Sequence, residues 1–345
     1  QEQALTDREI AQAKSLAQQP AGAVAFHDVA IYDAVKRKRV EHQTVIVRGN
    51  RIIWVGAAKD ITVEERSDMV IDGKGRTLLP GLFDMHTHLA DNISGLLALG
   101  SGITSARDLA NQIDKLAARS AAWDKGELIG PRVFRAAMID GKHPLAGPTE
   151  LLVGTKEEAL AAVARAKNAA FPAANPYSPL PSDLAKVTIN DAHRRGMRVG
   201  GHVPAGMTMT QAIEAGFDEI THANFWLLGF MGDEVVAKTN TPARISALGE
   251  RGREFDLDSK EVRDLVTLVR ARGIVLDPTL GVFQDTLLAR PGEPVPSVAA
   301  FADRMPATVI RSVSGGGMAK DEATRARYRE SLDRLGQLFL RFHRA

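Results

Sequence analysis

The chain has 345 residues and is 44% hydrophobic, enough for one large core and a second, small one. Its 44 lysines and arginines stand against 42 aspartates and glutamates, a net charge of +2 with no long block of one sign, which gives no reason to expect nucleic acid or a charged membrane surface as a partner. Cysteine is absent, which excludes disulfides and thiolate metal sites, and no apolar run approaches the roughly 20 residues of a membrane helix.

Residues 1–20 are polar and rich in Ala and Gln, and read as a short helix or loose extension. The start at Gln1 looks processed, as after removal of a signal peptide, and so suggests a periplasmic or secreted chain; a merely trimmed start leaves a cytoplasmic one open. From 21 to 77 short strands follow one another: Val24 to Ile31, Gln43 to Arg48, Arg51 to Val55 and Met69 to Ile71. Gly49-Asn50 is a hairpin signal between the second and third of them. This is a small all-β piece.

At 78 the rhythm changes to strand and helix in alternation. Leu78-Leu79-Pro80-Gly81-Leu82-Phe83-Asp84-Met85-His86-Thr87-His88 reads as a turn leading into a strand. Further strands are expected at 102–108, 131–138, weakly at 172–178, then at 198–202, 218–222 and 274–279. Thr155 and Glu158 form a capping-box signature for a helix to about Ala169, and Ser182 is expected to cap the next. Gly196 and Gly273 stop helices, and the last segment, from Met318, puts Tyr328, Leu332, Leu335, Phe339 and Phe342 on one helical face. Such alternation predicts a parallel sheet of the (β/α)8-barrel type. Only seven strands can be counted, so the barrel over 78–345 is expected to lack its eighth.

His86 and His88 are two residues apart on a strand, so both side chains face one way and can converge on a metal ion. His202 and His222 each stand at the C-terminal end of a predicted strand, the face on which such barrels build their active sites. Four histidines from three strands therefore point to one metal-binding mouth. His27, His42, His193 and His343 do not share this placement and read as structural or solvated. His143, in the loop after the third strand, and Tyr177, after the fourth, are candidate substrate contacts.

The phrases Leu79-Pro80-Gly81-Leu82-Phe83-Asp84-Met85-His86-Thr87-His88, Gly201-His202-Val203 and Ala215-Gly216-Phe217-Asp218-Glu219-Ile220-Thr221-His222 resemble the amidohydrolase superfamily, in its imidazolonepropionase-like and prolidase-like branch. The resemblance implies a β-sandwich over 21–77 ahead of the barrel. It further implies one metal on His86 and His88, a second on His202 and His222, and a metal-activated hydroxide attacking the C–N bond of a small amide, dipeptide or N-acyl amino acid. Two departures qualify that picture. The phrase Ala174-Asn175-Pro176-Tyr177-Ser178 has Asn175 where such proteins carry a carboxylated lysine, and the aspartate of the eighth strand has no counterpart; Asp277 lies on the seventh. Without a bridging anion, two dications about 4 Å apart repel by on the order of 10–20 kcal/mol at an effective dielectric near 20. One zinc ion, or partial occupancy of the two positions, favouring His202 and His222 or all four histidines, is therefore the expectation, with no evident carboxylate base. The alternatives are a degenerate, non-catalytic metal- or ligand-binding member, and a truncated chain whose open edge pairs with another copy as a homo-oligomer.

Overall fold

Strands that must be buried on both faces need helices between them, and this requirement organises residues 84 onward. The computed structural model describes residues 7, 8, 11, 12, 15, 20–33, 35–305 and 307–345, so the extension expected over 1–20 lies almost wholly outside the described residues. The chain divides into two units, one formed by Gln1–Phe83, Asp91–Ser105 and Ala122–Arg132, the other by Asp84–Ala90, Ala106–Ala121 and Val133–Ala345.

The first unit holds a five-stranded mixed sheet. Its strands are β1 (Ala23–Asp33), β2 (Lys38–Arg48), β3 (Arg51–Ala57), β4 (Met69–Asp72) and β5 (Thr77–Leu78), in the order β3-β2-β1-β4 with β5 also on β1. Gly49 takes φ 57° in the tight turn that sets Arg48 opposite Arg51, a backbone conformation that glycine reaches without steric penalty. Ala23, Ala25, Ile46 and Val63 form its small core, with Trp54 and Ile61 packed on them.

In the second unit the strands of a parallel sheet stand in chain order: β6 (Leu82–Thr87), β7 (Ile103–Asp108), β8 (Arg132–Gly141), β10 (Ala173–Pro176), β11 (Arg198–Gly201), β12 (Glu219–Thr221) and β13 (Val275–Asp277), with the short β9 (Leu152–Val153) pairing on β8. Those seven are the seven read from the sequence. The sheet curls into a nearly closed barrel, so that His86 on the first strand touches Asp277 on the last, Nδ1 to Oδ2 at 2.6 Å. Helices between the strands bury one continuous core that includes Trp226, Phe217, Ile189, Leu335 and Leu338.

Local chemistry explains where the helices begin and end. Thr155 caps the helix Lys156–Asn168 by accepting from the Glu158 amide, but the Glu158 carboxylate accepts from Gly154 rather than closing the box. A complete capping box, unforeseen in the sequence, opens the helix Met209–Ala215 at Thr208 and Gln211, and Gly216 ends it with φ 112°. Two expectations need correction. Ser182 is the first helical residue of Ser182–Arg194 rather than its cap, because Pro181 occupies the capping position. The last helix starts at Glu322, where the Asp321 carboxylate accepts from the Thr324 amide, and not at Met318.

Arg107 on β7 is the charge that the barrel interior is built around. Its guanidinium is bidentate to the Glu219 carboxylate, lies 3.3 Å from Asp277, and donates from Nε to the Met85 carbonyl at 2.7 Å. Removing one partner of such a set strands the others unpaired in a poorly solvated place. Replacement Arg107→Ala should therefore lower the unfolding free energy by about 3–5 kcal/mol, read from chemical denaturation; a loss below about 1 kcal/mol would mean that these carboxylates are solvated.

Candidate active site

Each of the four sequence-selected histidines lies at the same end of the barrel. His86 is the penultimate residue of β6, His88 follows that strand, His202 follows β11 and His222 follows β12. Ring centroids are 5.5 Å apart for His86 and His88, 4.8 Å for His86 and His222, and 4.5 Å for His202 and His222. The four rings line a cavity of about 520 Å³ together with Asn111, Lys115, Met138 and Asn175. The same rings face an adjoining space of about 690 Å³ towards Arg244, Asp277 and Phe283. Tyr177, the first residue after β10, lines both spaces and lies against His202 with the ring centroids 3.8 Å apart. His143 lines neither; its Nδ1 accepts from the Leu145 amide in its own loop at 3.0 Å.

The rings are held from behind. His202 Nδ1 is hydrogen-bonded to the Ser178 hydroxyl at 2.8 Å, His222 Nδ1 to the Thr279 hydroxyl at 2.7 Å, and His86 Nδ1 to the Asp277 carboxylate. Engagement of Nδ1 leaves Nε2 as the nitrogen with a choice of partner, the pattern found where histidines are oriented for ligation or proton transfer. Burial pushes the His202 imidazole well below its ordinary range and His222 down to about 3, with neighbouring imidazoles and Arg244 adding to the effect. Both are neutral at physiological pH, the form that donates a lone pair.

Two side-chain-bearing residues accept left-handed backbone here. His222 has φ 60° and Thr279 φ 46°, and the pair is tied by the ring–hydroxyl bond and by the His222 amide donating to the Asp277 carbonyl at 2.7 Å. Strain of this kind persists only where surrounding structure over-determines it, and it gathers at functional sites. Gly201, just before His202, has a different constraint. A Cβ there would stand 1.9 Å from Asn175 Oδ1 and 2.6 Å from the Pro176 carbonyl oxygen, so only glycine lets β10 and β11 approach at the level of the site.

Asn175 is 3% exposed and donates to the Leu109 carbonyl at 2.5 Å, while its Oδ1 has no hydrogen-bond partner. A neutral carboxamide cannot form a carbamate, so the residues present do not fit a carbamate-bridged metal pair. What they offer instead is neutral imidazoles at His202 and His222 whose Nδ1 atoms are already hydrogen-bonded. Among the described residues no three His, Asp or Glu side chains are already gathered as a finished ligand shell; the four rings are neighbours that share a cavity.

Several residues of the site were not among the candidates chosen from the sequence. Asp277 reads as an isolated acid before a proline, yet it supplies the carboxylate whose absence was expected, 191 positions from its histidine. Asp108 at the end of β7 is fully buried and accepts from the Leu89 amide at 2.7 Å and from the Ala110 amide at 3.1 Å, fixing the turn after His88; burial raises its carboxyl to about 6. The position of Asp108 at a strand end was legible as a signal; that of Arg244, on the first turn of the helix Ala243–Arg251, was not.

No family model matches the chain. Imidazolonepropionase from Aromatoleum aromaticum is 56% identical over 43 residues, 12% of this chain and 10% of that protein. A second, from Bradyrhizobium diazoefficiens, is 42% identical over 50 residues, 14% of this chain and 12% of the relative. The matched stretch thus spans about a tenth of the length of these curated relatives. Among solved structures, a bottromycin amidohydrolase covers 96% of this chain and 68% of its own at 19% identity, with a TM-score of 0.65. A protein described as a putative prolidase from Bifidobacterium longum covers 92% of this chain and 84% of its own, also at 19% identity, with a TM-score of 0.52. At such identities the structural likeness is one of fold. The resemblance read from the histidine phrases, to the imidazolonepropionase-like and prolidase-like branch of the amidohydrolase superfamily, is borne out. Among the described residues no helix is long and apolar enough to cross a membrane.

The contact between β10 and β11 gives a direct test of the site's construction. Gly201→Ala should destabilise the protein by about 2 kcal/mol or more through overpacking against Asn175 and Pro176, seen as a lower midpoint of unfolding. An unchanged midpoint would show that the two strands have room to separate.

Proposed function

We propose that this chain is a metal-dependent hydrolase of C–N bonds in small amides, dipeptides or N-acyl amino acids, working with one zinc ion rather than a bridged pair. The observation that carries the reading is the His86–Asp277 couple, which faces the same cavity as the two buried, neutral imidazoles of His202 and His222.

His202 and His222 would hold the ion through Nε2, because Ser178 and Thr279 occupy their Nδ1 atoms. When bound there, a divalent ion lowers the pKa of water towards about 7 and polarises the scissile carbonyl. The chain supplies proton transfer. With its Nδ1–H donated to Asp277, His86 keeps an Nε2 lone pair to take a proton from the attacking water and return it to the departing nitrogen. The C–N bond breaks, a C–O bond forms, and one water is consumed to give a carboxylic acid and an amine. Arg107, 3.3 Å from Asp277, balances the charge on that carboxylate. His88 is the remaining imidazole, close enough to His86 to complete the ligand set or to contact substrate.

A second reading has one specific observation in its favour. Asn175 is uncharged at the position where the resemblance implies an anionic bridge. If all four imidazoles bind the ion, none is left as a base, and the chain is a metal- or ligand-binding member without turnover.

The two readings diverge on Asp277. Purified protein equilibrated with zinc should retain about one ion per chain and hydrolyse members of a panel of N-acyl amino acids and dipeptides. His202→Ala should lose both ion and turnover. Asp277→Asn should keep the ion while kcat falls by about 10²–10⁴-fold, the usual worth of a positioned general base. Zinc retained without any turnover on the panel, or an Asp277→Asn variant as active as its parent, would favour the binding reading.

A further inference from the structure

Arg244 is a cation in the candidate active site that the hydrolysis chemistry above leaves unused. It lines the space shared by the four histidines, with its guanidinium carbon 5.8 Å from the centre of the Tyr177 ring. Tyr177 in turn lies against His202, the ring planes tilted by 30°, so a single aromatic ring stands between the guanidinium and an imidazole proposed to hold the ion. Among the described residues no carboxylate lies within ion-pair distance of Arg244. Of the acids near it, Asp277 in the same space is matched by His86 and Arg107, and Asp140, outside that space, accepts from the Gly141 and Gly147 amides. Asp84 accepts from the His86 amide.

Beside Arg244 stands a second unused group. Asn224 is 2% exposed, donates from Nδ2 to the Arg244 carbonyl at 3.1 Å, and leaves its Oδ1 buried with no hydrogen-bond partner. Asn224 lines the same space. An unmatched buried acceptor is costly unless something donates to it. A planar guanidinium held on an aromatic face is suited to bind a carboxylate through two parallel N–H donors.

We infer that Arg244 and Asn224 form the recognition site for an N-acyl amino acid, Arg244 taking its carboxylate and Asn224 Oδ1 its amide N–H. The carboxylate and the amide N–H of such a molecule are carried by the same carbon, and both protein residues line one space and are joined by the Asn224 bond to the Arg244 backbone. The inference rests on the reading of this cavity as an amidohydrolase site, and it narrows the substrate to one with a free carboxylate next to the scissile amide.

The test is a binding measurement, separate from turnover. Calorimetric titration of the protein, with and without zinc, compares N-acetyl-L-leucine, its C-terminal carboxamide, and its N-methylated acid. The acid should bind at least 10-fold more tightly than the carboxamide and several-fold more tightly than the N-methyl compound. Arg244→Met should abolish the preference for the acid while leaving the carboxamide's affinity unchanged, and Arg244→Lys should restore part of it. Thermal melting of both variants shows whether they remain folded. Equal binding of acid and carboxamide, binding of neither, or a preference that survives in Arg244→Met would overturn the inference. Arg244-dependent binding of the acid without hydrolysis would sink the hydrolase reading and leave this one standing; hydrolysis of acid and carboxamide at equal kcat/KM would do the reverse.

Discussion

The barrel depends on one half-buried carboxylate held between an imidazole and a guanidinium. Asp277 is the last residue of the seventh strand, and it meets His86 from the first strand and Arg107 from the second. Charged groups removed from water need partners with good geometry, and a set of this kind is more sensitive to loss of one member than its net contribution suggests. Here the set also has a geometric effect. It ties the two ends of the strand series together at the level of the site, so the rings of His86 and His222 come to 4.8 Å. Electrostatics in the barrel interior thus sets the aperture at which the imidazoles meet.

Around this tie the chain accepts local strain in return for position. His222 and Thr279 both adopt left-handed backbone and brace one another through a ring–hydroxyl bond. Gly201 gives up a side chain so that Asn175 can occupy the space beneath it. Asn175 and Thr221 on the wall of one space, and Asn224 on the wall of the adjoining one, then each keep a buried oxygen without a partner. Natural interiors satisfy nearly all such groups, so three around these adjoining spaces are consistent with a place that receives donors from a bound molecule.

The large outline was legible in the sequence because it is written in local periodicity. Strand and helix alternate, glycines at 216 and 273 end helices in left-handed conformation, and the seven strands follow chain order in the sheet. The four histidines could be gathered because each sits at a strand end, a position that sequence does reveal. Asp277 was set aside because it stands on the seventh strand beside Pro278 where the resemblance asks for an eighth-strand aspartate, and its partner, 191 positions away, left no local sign of the contact. Arg244 and Asn224 were passed over because they belong to short helices in a stretch, 224–250, without readable chemistry, and their use follows from what lies opposite them. Ser182 misled in the other direction, since a good capping residue one place along from Pro181 is simply the first residue of its helix.

The central claim is that imidazoles from separate strand ends hold a single ion, with no second metal beside it. X-ray absorption at the zinc edge of the zinc-loaded protein tests this most directly. The account predicts a shell containing at least two imidazole nitrogens at about 2.0–2.1 Å and no metal–metal scattering. A metal–metal vector at about 3.5–4 Å, or a shell of oxygen alone, would contradict it.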